Sequence, residues 1–254
     1  MKRESLQEIS WVETKEYFSK NEVAILPVGS TEQHGPHNYI GTDHLIAKAL
    51  AEEAANRTGV LCLPVIPFGV SSHHRQFWGT IFIQPKVFRK YVKDACLSLK
   101  YYGVKKIVIV NGHGGNTSSL LEVARELRKQ GVLVSVFQWW NATGEVLPRI
   151  FGSDERGHAG SEETSMNLFL YSELVKMDRA LNEKPRDPIP KVSGVVGWGS
   201  DTVDHTNSGV FGDATAASIE KGRKVYEMAV NELTKHIEII KGLKAENLLS
   251  KPHV

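Results

Sequence analysis

The 254-residue chain predicts an α/β protein with a mostly parallel sheet and helices on both of its faces. Two observations carry this. Short apolar runs alternate with helical patterns from residue 23 to about residue 175. The clearest run, Ile107–Val110, is continuous and mostly β-branched, as strands covered on both faces are.

Taken in order, EVAILPVGS (22–30) reads as a strand running into a loop. DHLIAKALAEEAANRTG (43–59) is a helix with Asp43 near its start and Gly59 past its end. VLCLPVIPFGV (60–70) is the next strand, and QPKVFRKYVKDACLSLKYYG (84–103) the next helix, with Pro85 in its first turn. KKIVIVNGHGGN (105–116) is a strand that stops at a glycine loop. TSSLLEVARELRKQG then spaces Leu120, Leu121, Ala124 and Leu127 at helical intervals, with Gly131 as C-cap. VLVSVFQWW (132–140) is a strand ending in Trp139 and Trp140, and a further helix runs from about Gly160 to Tyr171. Residues 183–214 are rich in Gly, Pro, Ser and Asp and have almost no periodicity. The part spanning 193–213 is too long for a mere connector and is expected to cover an active site or a subunit interface. The final segment, residues 215–243, is a long amphipathic helix. No repeat, low-complexity stretch or linker divides the chain, so one domain is expected over 1–254.

Composition narrows the classes of function. With 41% hydrophobic and 24% charged residues the chain can bury one large core. A formal charge of +2 and the lack of any long Lys/Arg run argue against nucleic acid or anionic membrane as partners, which leaves small molecules. Cys62 and Cys96 sit in apolar patterns, form no CxxC and read as core residues. The N-terminal stretch has no apolar segment of signal-peptide length and no window approaches a membrane span, so a cytoplasmic location is expected.

Seven of the ten histidines fall between His34 and His158, mostly where a strand pattern gives way to a loop. The loop GHGGN lacks both the GxGxxG spacing and the Lys-Ser/Thr of a phosphate-binding loop. A histidine flanked by glycines, His113, has little bulk around it and is well placed to approach a metal at the carboxyl end of a strand. GSTEQHGPHNYIGTDH (29–44) groups Glu32, His34, His37, Asp43 and His44. Glu32 and His34, two apart in an extended segment, point to one side. His37 and His44 read as supporting or surface residues. GHAGSEETS (157–165) adds His158, Glu162 and Glu163 at a helix start. Parallel topology gathers such loops along one sheet edge, and mixed His and carboxylate donors without cysteine suit Zn²⁺, Mn²⁺ or Fe²⁺.

The motifs GSTEQHGPH, GTDH, NGHGGN and GHAGSEETS, in this order, resemble those of the creatininase family of metal-dependent amidohydrolases. SSHHRQFWGTI (71–81) and GVFGDATAAS (209–218) fit the same pattern, and the resemblance spans about residues 7–240. It implies a three-layer α/β/α sandwich, two divalent ions per subunit (Zn, Mn or Fe(II)) and a homo-oligomer, with a hexamer favoured. By motif position it makes Glu32, His34, Asp43 and His113 metal ligands, with Asp43 bridging the two ions. In creatinine-hydrolysing members a glutamate two residues after the loop histidine completes the second metal, and here that place is Gly115. Glu163 is the substitute, with Glu162 as its competitor. His158 is the candidate proton donor to the leaving nitrogen, the alternative being that it orients Glu163. His74, Asn116 and Trp198 are candidate substrate contacts, and Asn116 also a candidate to hold the His113 loop.

The expected activity is hydrolysis of a non-peptide C–N bond in a small amide, formamide or cyclic amide by a metal-bridging hydroxide. Creatinine and a formamidopyrimidine nucleotide are the leading substrates implied by the resemblance. The alternatives are hydrolysis of a cyclic sugar-like ketone, as in other members, and metal or nucleotide binding without catalysis.

Overall fold

The computed structural model describes residues 5–189, 193–195 and 197–247. Residues 1–4 and 248–254 of the expected domain, and 190–192 and 196 of the glycine-rich segment, lie outside it. Four parallel strands form the main sheet in the order β2-β1-β3-β4: β1 (Val23–Val28), β2 (Leu61–Cys62), β3 (Lys106–Asn111) and β4 (Leu133–Gln138). The helices are α1 (Trp11–Phe18), α2 (Thr42–Thr58), α3 (Pro85–Tyr101), α4 (Thr117–Lys129), the short α5 (Trp139–Ala142) and α6 (Leu147–Ile150), α7 (Ser161–Tyr171), α8 (Thr202–His205) and α9 (Ile219–Gly242). A separate two-stranded antiparallel ribbon pairs β5 (Asn182–Glu183) with β6 (Gly212–Asp213).

The period of two along each strand sorts side chains into two cores. Ile25, Val108 and Val110 join Ile46 and Leu50 of α2, Met166 of α7 and Val225 and Leu233 of α9. Ala24, Leu26, Ile107 and Ile109 face the other way, onto Phe88 and Val92 of α3 and Leu120, Val123 and Leu127 of α4. This is the three-layer α/β/α arrangement. Cys62 and Cys96 are free and buried, one in each core. Among the described residues no helix is long and apolar enough to cross a membrane.

Four details differ from the sequence reading. Only Leu61–Cys62 of the stretch 60–70 pairs as a strand, because Pro64 and Pro67 have no N–H to give a ladder. The rest follows β1 only through an isolated bridge at Ile66. Trp139 and Trp140 do not end a strand but open α5, one residue after β4 stops. Leu121 points to solvent, and Val123 takes its place in the core stripe of α4. The glycine-rich stretch also holds α8, β6 and the second residue of β5.

Candidate metal centre

The carboxyl ends of β1 and β3 and the first turns of α2 and α7 meet at one edge of the sheet. β1 leads into Glu32 and His34, β3 leads into His113, α2 carries Asp43 and α7 carries Glu163. Glu32, His34, Asp43 and His113 are 0, 1, 3 and 5% exposed. Burying two carboxylates this deeply costs free energy unless positive charge compensates them.

Asp43 divides its oxygens. Oδ1 lies 3.1 Å from His34 Nε2, and Oδ2 lies 3.0 Å from His113 Nδ1. Glu32 Oε2 is 3.2 Å from the same His113 nitrogen, and Glu163 Oε2 is 3.7 Å from His34 Nε2. Donor atoms converge in the sets Glu32–Asp43–His113, His34–His158–Glu163 and Glu32–His74–His158, and the Asp43 carboxylate reaches His34 as well as His113. Two ligands about 2.0–2.1 Å from one tetrahedral ion stand roughly 3.3 Å apart, close to the separations seen here.

The polar atoms test whether a metal fits. Glu32 Oε1 and Oε2, Asp43 Oδ2 and His34 Nε2 are buried with no hydrogen-bond partner among the described residues. The far nitrogen of each histidine is satisfied: His113 Nε2 donates to the Val70 carbonyl at 3.0 Å, and His34 Nδ1 to the Glu32 carbonyl at 3.2 Å. A carbonyl only accepts, so each ring carries its proton away from the centre and turns a lone pair inward, as metal-bound histidines do. The donors fit divalent metal.

Electrostatics agree. Burial alone would depress His34, yet the Asp43, Glu163 and Glu32 carboxylates lift its pKa to about 10. His113 is raised against the same burial by Glu32 and Asp43. Burial holds Glu163 up to about 7, and burial together with Glu163 holds Glu162 up to about 8. The cluster therefore draws in positive charge, the role a cation would fill. His158 is pushed well below its ordinary range by burial and by His34.

Glu163, not Glu162, is the carboxylate beside His34. The Ala159 N–H donates to its Oε2 at 2.6 Å, whereas Glu162 Oε1 accepts from the Gly157 N–H at 3.0 Å. Gly115, where the family pattern has glutamate, is closed to any side chain in this loop. A Cβ there would stand 2.3 Å from the Val70 carbonyl and 2.4 Å from His113 Nε2.

A cavity of about 340 Å³ opens over the centre, at the small end for a ligand site. Its walls include His73, His74, Trp139, Trp140, His158 and Phe211. His74, read as a substrate contact, is among them. The other two substrate contacts are not. Asn116 is fully buried and spends its amide on the protein, accepting from Val70 N at 2.9 Å and donating to the Gly29 carbonyl at 3.0 Å. It ties the His113 loop to its neighbours. Trp198 is 42% exposed and packs near His205, outside the cavity wall. His37 and His44 stay off the centre, bonded to Thr164 Oγ1 and the Ser30 carbonyl. Sequence reasoning missed Gln33, Thr202, His73 and Phe211. The HH doublet signalled His73, but nothing in the pattern pointed to the other three.

Fold and site together define a class: a three-layer α/β/α protein with a buried cluster of carboxylates and histidines, suited to divalent metal, at the carboxyl ends of its parallel strands. The family model described as creatininase, creatinine amidohydrolase, matches residues 7–237. The mycofactocin precursor peptide peptidase of Mycobacterium ulcerans is 33% identical over 84% of this chain and 83% of its own. The creatinine amidohydrolase of Pseudomonas putida is 29% identical over 88% and 92%. A crystal structure of creatinine amidohydrolase superposes with a TM-score of 0.84 at 28% identity, covering 96% of this chain and 100% of that one. The chain belongs to the creatininase family of metal-dependent amidohydrolases.

Proposed function

We propose that the protein hydrolyses a carbon–nitrogen bond of a small amide or formamide with two divalent ions, one held by Glu32, Asp43 and His113 and the other by His34, Asp43 and Glu163. The observation that carries this is the pair of Asp43 oxygens, each facing a different histidine at 3.0–3.1 Å. Such ions supply a hydroxide nucleophile and polarise the carbonyl under attack.

His158 moves the proton. Its Nε2 lies 2.9 Å from the Gln33 carbonyl, which only accepts, and 2.8 Å from the Gln33 amide nitrogen, which has the Gly209 carbonyl as another acceptor at 3.2 Å. The ring proton therefore sits on Nε2, and Nδ1 turns its lone pair to the centre. It takes a proton from the attacking water and passes it to the leaving nitrogen. His74 borders the substrate from the cavity wall, and Asn116 positions the His113 loop.

The closed position at Gly115 weighs against creatinine and favours an open-chain formamide such as a formamidopyrimidine nucleotide. A second reading, cleavage of a bond in a short peptide, is favoured by the 33% identity to the mycobacterial peptidase. Anaerobic loading with Fe²⁺, Mn²⁺ or Zn²⁺, followed by parallel assays of formate release, creatinine turnover and peptide cleavage, separates these. Two bound ions with none of the three activities would leave a metal-binding protein without catalysis in their place.

A further inference from the structure

Glu32 has a second oxygen that the paired centre does not use. Oε1 is turned away from His113 and lies 3.2 Å from His74 Nε2 and 4.0 Å from His158 Nδ1. The three atoms all lie within 4.8 Å of one another. Glu32 is wholly buried, and Oε1 has no hydrogen-bond partner among the described residues. At 3.2 Å the distance to His74 would suit an N–H···O bond, so it is the angle that fails.

The far side of each ring is provided for. His74 Nδ1 is 2.8 Å from Thr202 Oγ1, and His158 Nε2 is 2.9 Å from the Gln33 carbonyl. The Gln33 amide nitrogen also stands 3.0 Å from His74 Nδ1. The Thr202 hydroxyl and the Gln33 carbonyl can each accept a ring proton, so that His74 Nε2 and His158 Nδ1 turn their lone pairs to an ion when one binds.

We propose that Glu32 Oε1, His74 Nε2 and His158 Nδ1 form a third divalent-cation position of the zinc type, separate from the two joined through Asp43. Two neutral imidazoles and one shared carboxylate bring less negative charge than either neighbouring set, and two cations nearby repel a third. This position fills last, when metal is in excess. A cation there occupies the His158 nitrogen that the hydrolytic reaction uses, so excess metal stops turnover. That consequence rests on the hydrolase reading; the site itself does not.

Equilibrium dialysis of chelator-treated protein against rising Zn²⁺, with elemental analysis, is the test. Two ions bind first and a third binds at distinctly higher zinc. His74→Gln loses the third while keeping the first two. Thr202→Val, which removes only the partner of His74 Nδ1 and spares the coordinating atoms, weakens the third by roughly 10–100-fold. A wild-type protein that takes up no third ion at millimolar zinc, or a third ion bound equally well in both variants, overturns the proposal. In the hydrolysis assay, inhibition tracks third-ion uptake and shifts to higher zinc in Thr202→Val. Zinc uptake sensitive to both variants in a protein with no activity supports the site and sinks the hydrolase reading, so the two failures are distinct.

Discussion

Each oxygen of Asp43 serves a different histidine, so the two donor sets stand or fall together at this residue. Asp43→Ala is expected to lose both tightly bound ions, whereas Glu163→Ala empties mainly the His34 side. Elemental analysis checks this, and near-complete metal retention in Asp43→Ala would defeat the bridged arrangement. His113→Ala should lose metal and activity together. His158→Ala should keep the two tight ions and lose rate by roughly 10²–10⁴-fold, the range for a positioned acid or base. The loss should be smaller for a substrate whose leaving nitrogen is a weak base, and an equal penalty on two substrates of different leaving-group pKa would count against the assignment. His37 gives a pH signature. Burial, and then His34, presses its pKa from the ordinary 6.5 down to about 4. Between those values the unfolded chain binds more protons than the folded one, so His37 lowers stability as pH falls through that window and has no effect above it. In metal-free protein, His37→Gln should therefore lose less melting temperature than wild type between pH 7 and 4.5; parallel curves would show that His37 does not titrate as argued. At this scale the candidate donors that the fold brings together were legible because their chemistry is rare in loops. Gln33 and Thr202 were not, since a glutamine or threonine acquires its role only from the ring nitrogen that folding places beside it.

Helix α7 owes its position, and Glu163 its aim, to a close crossing with α9. A Cβ on Gly222 of α9 would stand 1.9 Å from the Ser165 carbonyl oxygen and 3.0 Å from the Phe169 Cβ. Gly222→Ala is expected to push the two helices apart and to destabilise the fold by roughly 1–3 kcal/mol, the usual cost of overpacking. Because Glu163 lies in the first turn of α7, metal affinity should fall on its side of the centre more than on the Glu32 side. Thermal melting and metal titration of the variant check both effects, and an unchanged melting temperature would remove the argument. Elements with strong periods, α3, α4 and α9, were readable within a few residues. β2 was overread because an apolar run looks the same whether or not prolines within it can pair. The short α8 and the β5–β6 ribbon have too few residues to set up a period, and they exist through contacts with distant segments.

For the whole molecule, large apolar side chains remain in water: Trp78 is 98% exposed and Trp11 77%. A homo-oligomer, with a hexamer favoured, is the expected form, and light scattering at micromolar concentration should find one; a clean monomer would go against it. The two cores also divide the labour of the protein. The candidate donors Glu32, His34 and Asp43 lie between β1 and the start of α2, and Glu163 opens α7, so most of the cluster is held by the α2–α7–α9 layer. Helix α3 itself, with Phe88, Val92, Cys96 and Leu99 packed under the sheet, contributes no donor atom. Amino-acid replacements there alter how firmly the scaffold stands without touching the atoms that meet a substrate. That layer is where a laboratory can raise heat tolerance, or a lineage can drift, while the reaction stays the same.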